Sequence, residues 1–116
     1  MKSLFPLVKV KASDGLVLHG LLLEPEKKEK KTIKIHVHGD AGNFFYNSFY
    51  HYLAKDCLRQ HSAFLATNNR GASVFENSVH DKIPHGVAAE LFKDCVKDID
   101  AWIAFALERS YEKVIF

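Results

Sequence analysis

The chain has 116 residues, 47% of them hydrophobic and 26% charged, and its 16 Lys and Arg against 14 Asp and Glu leave a net charge of +2. That length holds one domain with a small core and a thin stability margin. The interspersed charges exclude the basic stripe that nucleic acid requires, and no apolar run approaches the roughly 18 residues of a membrane span.

In chain order, Leu4 to Ala12 alternates Val8, Val10 and Ala12 with Lys9 and Lys11, the period of a half-buried edge strand. Pro6 suits an edge because it cannot donate to a ladder. Ser13-Asp14-Gly15 is a turn signal, and Leu16 to Glu24 alternates again, with Gly20 expected as a bulge. The two runs predict an antiparallel hairpin. Glu24 to Lys31 mixes both charge signs around Pro25 and reads as a solvated connection. Thr32 to His38 is a strand with β-branched Thr32, Ile33, Ile35 and Val37.

Residues 44 to 61 place Phe45, Phe49, Tyr52, Leu53, Ala54, Cys57 and Leu58 on one predicted helical face, with Asn43 as a suitable N-cap. Ala63 to Thr67 predicts a buried strand. No period holds from Asn68 to about Ala89, where Gly71, Pro84 and Gly86 interrupt. Leu91, Phe92, Cys95, Val96, Ile99, Trp102, Ile103 and Ala106 then recur at helical spacing, opposite Lys93, Asp94, Lys97, Asp98 and Asp100. Ser110-Tyr111 ends that helix, and Lys113 to Phe116 begins another strand. Strand–helix–strand–helix–strand after a hairpin predicts an α/β fold, mostly parallel, with helices on both faces.

Leu4 to Val10 is broken by Pro6 and Lys9 and has no small-residue cleavage site, so no secretory signal is expected. Cys57 and Cys95 lack a Cys-x-x-Cys spacing and read as reduced core thiols rather than a disulfide. A cytoplasmic setting follows as an expectation.

The segment best suited to chemistry is His38-Gly39-Asp40-Ala41-Gly42-Asn43. A strand ending in small residues leaves backbone N–H groups free to meet an anion, and a following helix adds its positive end. Set beside Leu65-Ala66-Thr67-Asn68-Asn69-Arg70-Gly71 and the amphipathic helix, all in one order, the chain resembles the N-terminal half of an α/β-hydrolase. The resemblance covers essentially all 116 residues, with Asn68 where that family's Asp-x-Arg-Gly stretch has Asp. It implies a sheet order of 1-2-4-3-5 and a partial hydrolase domain over residues 1–116. It implies an oxyanion-hole loop at His38, Gly39, Asp40 and Ala41, with the Asp40 N–H as donor and Ala41 as the alternative.

In that family the strand beginning at Lys113 would lead into a Gly-x-Ser-x-Gly turn bearing the nucleophile. Ser3, Ser13, Ser48, Ser62, Ser73, Ser78 and Ser110 all lack that frame. The family's acid and histidine follow later, so no catalytic residue is assigned and the chain is expected to be inactive as given. The resemblance implies a serine hydrolase of the carboxylic-ester or peptidase-like kind, acting on a small-molecule ester or amide, with no cofactor. Self-association through the exposed last strand is the further expectation.

Other readings attach to the same residues. His36 and His38 share a strand face, yet a zinc site would need further ligands from scattered His19, His51, His61, His80 and His85, so no metal is expected. His38 more simply bonds nearby backbone, and Arg70 pairs with carbonyls or carboxylates. Asp98 is expected in solvent beside a core Trp102. Phe44, Phe45, Tyr46, Phe49, Tyr50 and Tyr52 read as core packing before an acyl-binding wall. A non-catalytic α/β interaction module remains the alternative function. A phosphate-binding protein is disfavoured, because Gly39 and Gly42 have neither the Gly-x-Gly-x-x-Gly frame nor a Lys-Ser/Thr after them.

Overall fold

The computed structural model describes residues 6–26, 31–39, 42–44, 48–72, 76–77, 84–88 and 90–116. β1 (Leu7–Lys11) and β2 (Val17–Leu23) form the expected antiparallel hairpin, in register from Leu7↔Leu21 to Lys11↔Val17. Its turn closes because Gly15 adopts φ 91°, a conformation open to glycine, and donates to the Ala12 carbonyl at 2.9 Å.

β3 (Thr32–Val37) and β4 (Ala63–Thr67) run parallel, joined through α1 (Phe49–Arg59). β4 also pairs antiparallel with β2, and β7 (Lys113–Ile115) lies parallel to β3 on its other side. The sheet order is β1-β2-β4-β3-β7, with β7 as the fifth strand of the expected order. Between β4 and α2 (Cys95–Glu108), two short strands pair antiparallel, β5 (Glu76–Asn77) and β6 (Pro84–His85), and a 3-10 turn spans Phe92–Asp94.

Every residue of β4 is buried, as a strand covered on both faces requires. Ala63 and Leu65 join Ile33, Ile35, Trp102 and Ala106 in one core, and Phe64 and Ala66 join Ala54 and Cys57 in the other. Alternation along the strand therefore puts α1 and α2 on opposite faces. Cys57 and Cys95 are free thiols, one on each helix.

Four local expectations are corrected. Gly20 is no bulge, since it pairs in unbroken register with Val8 and Thr67. It leaves room for the indole of Trp102, whose Cη2 would lie 2.9 Å from a Cβ there. The first helix begins at Phe49 after Ser48, so Asn43 is not its N-cap; Asn43 is itself buried. Its buried face is Tyr50, Ala54 and Cys57, while Phe49, Tyr52 and Leu53 are exposed. The apolar residues outnumber the positions that one short helix can press on a sheet. Finally, Asp98 is fully buried. It lies one turn before Trp102 on α2, so a helix that buries the indole carries the carboxylate inward with it.

Candidate functional site

β3 leaves the sheet toward α1 on one face, and its neighbour β4 leaves toward α2 on the other. A crevice opens where adjacent parallel strands part in this way, outside their carboxyl ends. The residues that follow the two strands line it. Val37 ends β3 and His38 and Gly39 follow it, Asn69 and Gly71 follow β4, and Glu90 and Cys95 stand at the approach to α2, around about 490 Å³.

The two strand exits are tied to each other. Asn69 donates its backbone N–H to His38 Nε2 at 3.0 Å, and His38 Nδ1 meets the Gly39 carbonyl at 2.7 Å. Asn68 Oδ1 accepts the Phe44 N–H at 2.8 Å, the bond an aspartate there would make equally well. The Gly39 carbonyl also accepts from the Gly42 N–H at 3.0 Å. His38 therefore bonds backbone on both ring nitrogens, as its simplest reading anticipates. Asp40 and Ala41, the donors assigned by resemblance, lie outside the described residues.

Arg70 is buried and held by two carboxylates. Its guanidinium lies 2.7 Å from Asp98 Oδ1 and 2.8 Å from Asp14 Oδ2, and its backbone N–H donates to Asp98 Oδ2 at 2.8 Å. Burial opposes its charge, but the hydrogen bonds that Arg70 donates to Asp14 and Asp98 outweigh it and raise the guanidinium pKa further. The hydrogen bond from Arg70 in turn holds Asp14 below its ordinary value against partial burial. Lys97 bridges Asp94 at 3.0 Å and Asp14 at 3.7 Å around the rim. Arg70 is thus a joint between hairpin turn, β4 and α2. Sequence reasoning anticipated a carboxylate partner without finding Asp14 or Asp98. The signal for Asp98 was its spacing from Trp102.

No nucleophile emerges in the crevice from its thiol. Cys95 Sγ donates to Glu90 Oε1 at 2.9 Å, and burial, with that bond, pushes the thiol up to about 12. A thiol so disposed stays protonated and unreactive at neutral pH. His36 and His38 are engaged with their neighbours. The His36 ring sits edge-on to Phe49 and Tyr50, with centroids 5.7 and 4.7 Å away, and burial lowers its pKa. Among the described residues no group of three or more His, Cys, Asp or Glu could hold a metal ion. A second cavity of about 350 Å³ lies on the α1 face, with Leu23, Phe44, Tyr50, Ala54 and Phe64 in its wall.

The strand order, the hairpin lead-in and the helices on opposite faces match the N-terminal part of an α/β-hydrolase fold. No family model matches the chain, and no curated protein matches it. Solved structures do. The chain is similar to the Pyrococcus furiosus esterase Pf2001 in space group P212121, with a TM-score of 0.65 and 16% identity over 93% of this chain and 35% of that one. The same esterase in space group P21 gives 0.64 and 16%, over 93% of this chain and 38% of that one. The chain thus spans little more than a third of these proteins, and the likeness is one of fold.

Proposed function

We propose that this chain is the N-terminal part of a serine hydrolase, of the carboxylic-ester or peptidase-like kind. It supplies the oxyanion-hole loop His38, Gly39, Asp40 and Ala41 and none of the nucleophile, acid or base. The observation that carries this reading is the use of both His38 nitrogens on backbone at the end of β3. An imidazole so committed serves the shape of its loop rather than proton transfer, which suits a turn whose purpose is to present an N–H. The Asp40 N–H would meet the oxyanion of a small ester or amide, with Ala41 as the alternative donor.

The register supports where the rest would come from. β7 pairs with β3 as far as Ile115↔Lys34, and β3 continues through Ile35, His36 and Val37. A strand continuing along β3 would arrive beside His38. No cofactor enters the mechanism, and a cytoplasmic setting belongs to the same reading. Among the described residues no helix is long and apolar enough to cross a membrane.

Two measurements test the reading. The coding sequence beyond Phe116 should carry a Gly-x-Ser-x-Gly frame within a few codons, and a stop there, or no such frame, overturns it. The 116-residue protein itself should show no saturable turnover of a short-chain aryl ester, because attack needs an activated side chain. Turnover abolished by a serine-directed phosphonate would overturn its inactivity.

A second reading has its own observation. Among the described residues β7 pairs only with β3, and Phe116 is 58% exposed beside it. An open strand edge with apolar neighbours can join another chain, so a non-catalytic interaction module, or self-association along β7, is the alternative. Sedimentation decides: a concentration-dependent dimer favours that use of the edge, and a clean monomer removes self-association.

A further inference from the structure

Two bonds leave His38 one protonation pattern. The Gly39 carbonyl can only accept, so His38 Nδ1, 2.7 Å away, carries a proton. The Asn69 backbone N–H can only donate, so His38 Nε2, 3.0 Å away, carries a lone pair. One tautomer, the Nδ1–H form, satisfies both bonds. Its Nδ1–H and the Gly42 N–H both bind the Gly39 carbonyl. Two donors therefore fix the direction of that carbonyl.

The Asn69 N–H is itself placed from α2. Asp98, fully buried, takes the backbone N–H of Arg70 on one oxygen at 2.8 Å and the guanidinium on the other at 2.7 Å. One carboxylate thus holds both the main chain and the side chain of the residue next to Asn69. On the other side, Asn68 donates its N–H to the His19 carbonyl at 2.7 Å and accepts from Phe44. Residues 68 to 70 are fastened at each position, and α2 supplies the ionic fastening.

We infer that Asp98, acting through Arg70 and the Asn69 amide, is a positioning residue for the His38-Gly39 turn. α2 selects the imidazole tautomer, and the tautomer holds the Gly39 carbonyl. The consequence for an oxyanion donor rests on the hydrolase reading; the tautomer selection does not. This gives Asp98 a part in the crevice although it touches no ligand there, and it explains why a carboxylate is carried into the core beside Trp102.

Nitrogen-15 spectra of the intact chain test this without any enzymatic activity, so failure here is separable from failure of the hydrolase reading. The wild-type protein should show His38 as the Nδ1–H tautomer, with a through-hydrogen-bond coupling between the Asn69 amide and Nε2. Asp98→Asn should lower the ratio of Nδ1–H to Nε2–H roughly three- to tenfold, the scale of one hydrogen bond, and weaken that coupling. Asp100→Asn, on the exposed side of α2, should change neither. If Asp98→Asn does not fold, Arg70→Lys takes its place; it keeps the charge and removes the fork, and the same loss is expected. An Nε2–H ring in the wild type, or a tautomer ratio unmoved in the folded variant, overturns the inference.

Discussion

Asp98 and Arg70 meet through both main chain and side chain: the same carboxylate accepts the Arg70 backbone N–H at 2.8 Å and its guanidinium at 2.7 Å. Neither group is open to solvent, so each is the other's substitute for water. Removing one partner from such a pair strands the other charge in the interior, which typically costs about 3–5 kcal/mol. Asp98→Ala should therefore shift a urea unfolding midpoint by an amount equivalent to that range. A shift below about 1 kcal/mol would mean that the pair is hydrated and that its burial is not as described.

Asp14 gives the joint a pH dependence. Its carboxyl is held below the ordinary value of 3.8 by the hydrogen bond from Arg70. A depressed carboxylate adds stability that is fully present above the unfolded value and is lost as the pH falls through the folded one. Wild type and Asp14→Asn should thus differ near neutrality, by about 1 kcal/mol because the site is partly open to water. They should converge in strong acid. Urea midpoints across the acid range check this, and a gap that widens toward acid would reverse the assigned sign.

The packing of Trp102 against Gly20 predicts a graded series. Trp102→Ala should cost about 3–5 kcal/mol, the range for truncating a large buried aromatic residue. Gly20→Ala should cost about 1–3 kcal/mol, since its Cβ would lie 2.9 Å from the indole and 3.0 Å from the Ala66 carbonyl oxygen. Asp100→Ala, on the exposed side of α2, should cost well under about 1 kcal/mol. Equal effects from Trp102→Ala and Asp100→Ala in a urea titration would contradict the assigned helix faces.

The thiols should remain reduced and unequal in reactivity. Cys57 and Cys95 sit on helices covering opposite faces of the sheet, and a disulfide needs Cα atoms about 4.4–6.8 Å apart. Both thiols should titrate with a chromogenic disulfide in denaturant without prior reduction. In the native protein Cys95 should react far more slowly than a free thiol, because its pKa is pushed up to about 12. Rapid native labelling of Cys95 would show that its bond to Glu90 does not hold in solution.

Much of the architecture was legible because it is written in period and order. Alternation gave β1 and β2, the continuous apolar run gave β4, and the helical recurrence around Trp102 gave α2, although Leu91, Phe92 and Val96 of that run are exposed. The crevice was legible only in part. Small residues after β3 marked its place, and His38 was expected to bond backbone, as it does. The face of α1 was misread because apolar composition does not say which residues a sheet has room to cover. Tyr50 is buried while Tyr52 is exposed.

What the sequence by itself determined is the order of elements, and with it the sheet class, because hydrophobic period and chain connectivity are local properties of the chain. What only the tertiary structure decided is the partnership of distant polar groups. Asp14, Arg70 and Asp98 lie in a turn, a strand exit and a helix, and their bonds span separations of 56 and 28 residues. No local pattern distinguishes a carboxylate facing water from one facing a buried guanidinium. That choice is made when α2 settles on the sheet, where an unpaired buried charge would be too costly to keep and a paired one can be held.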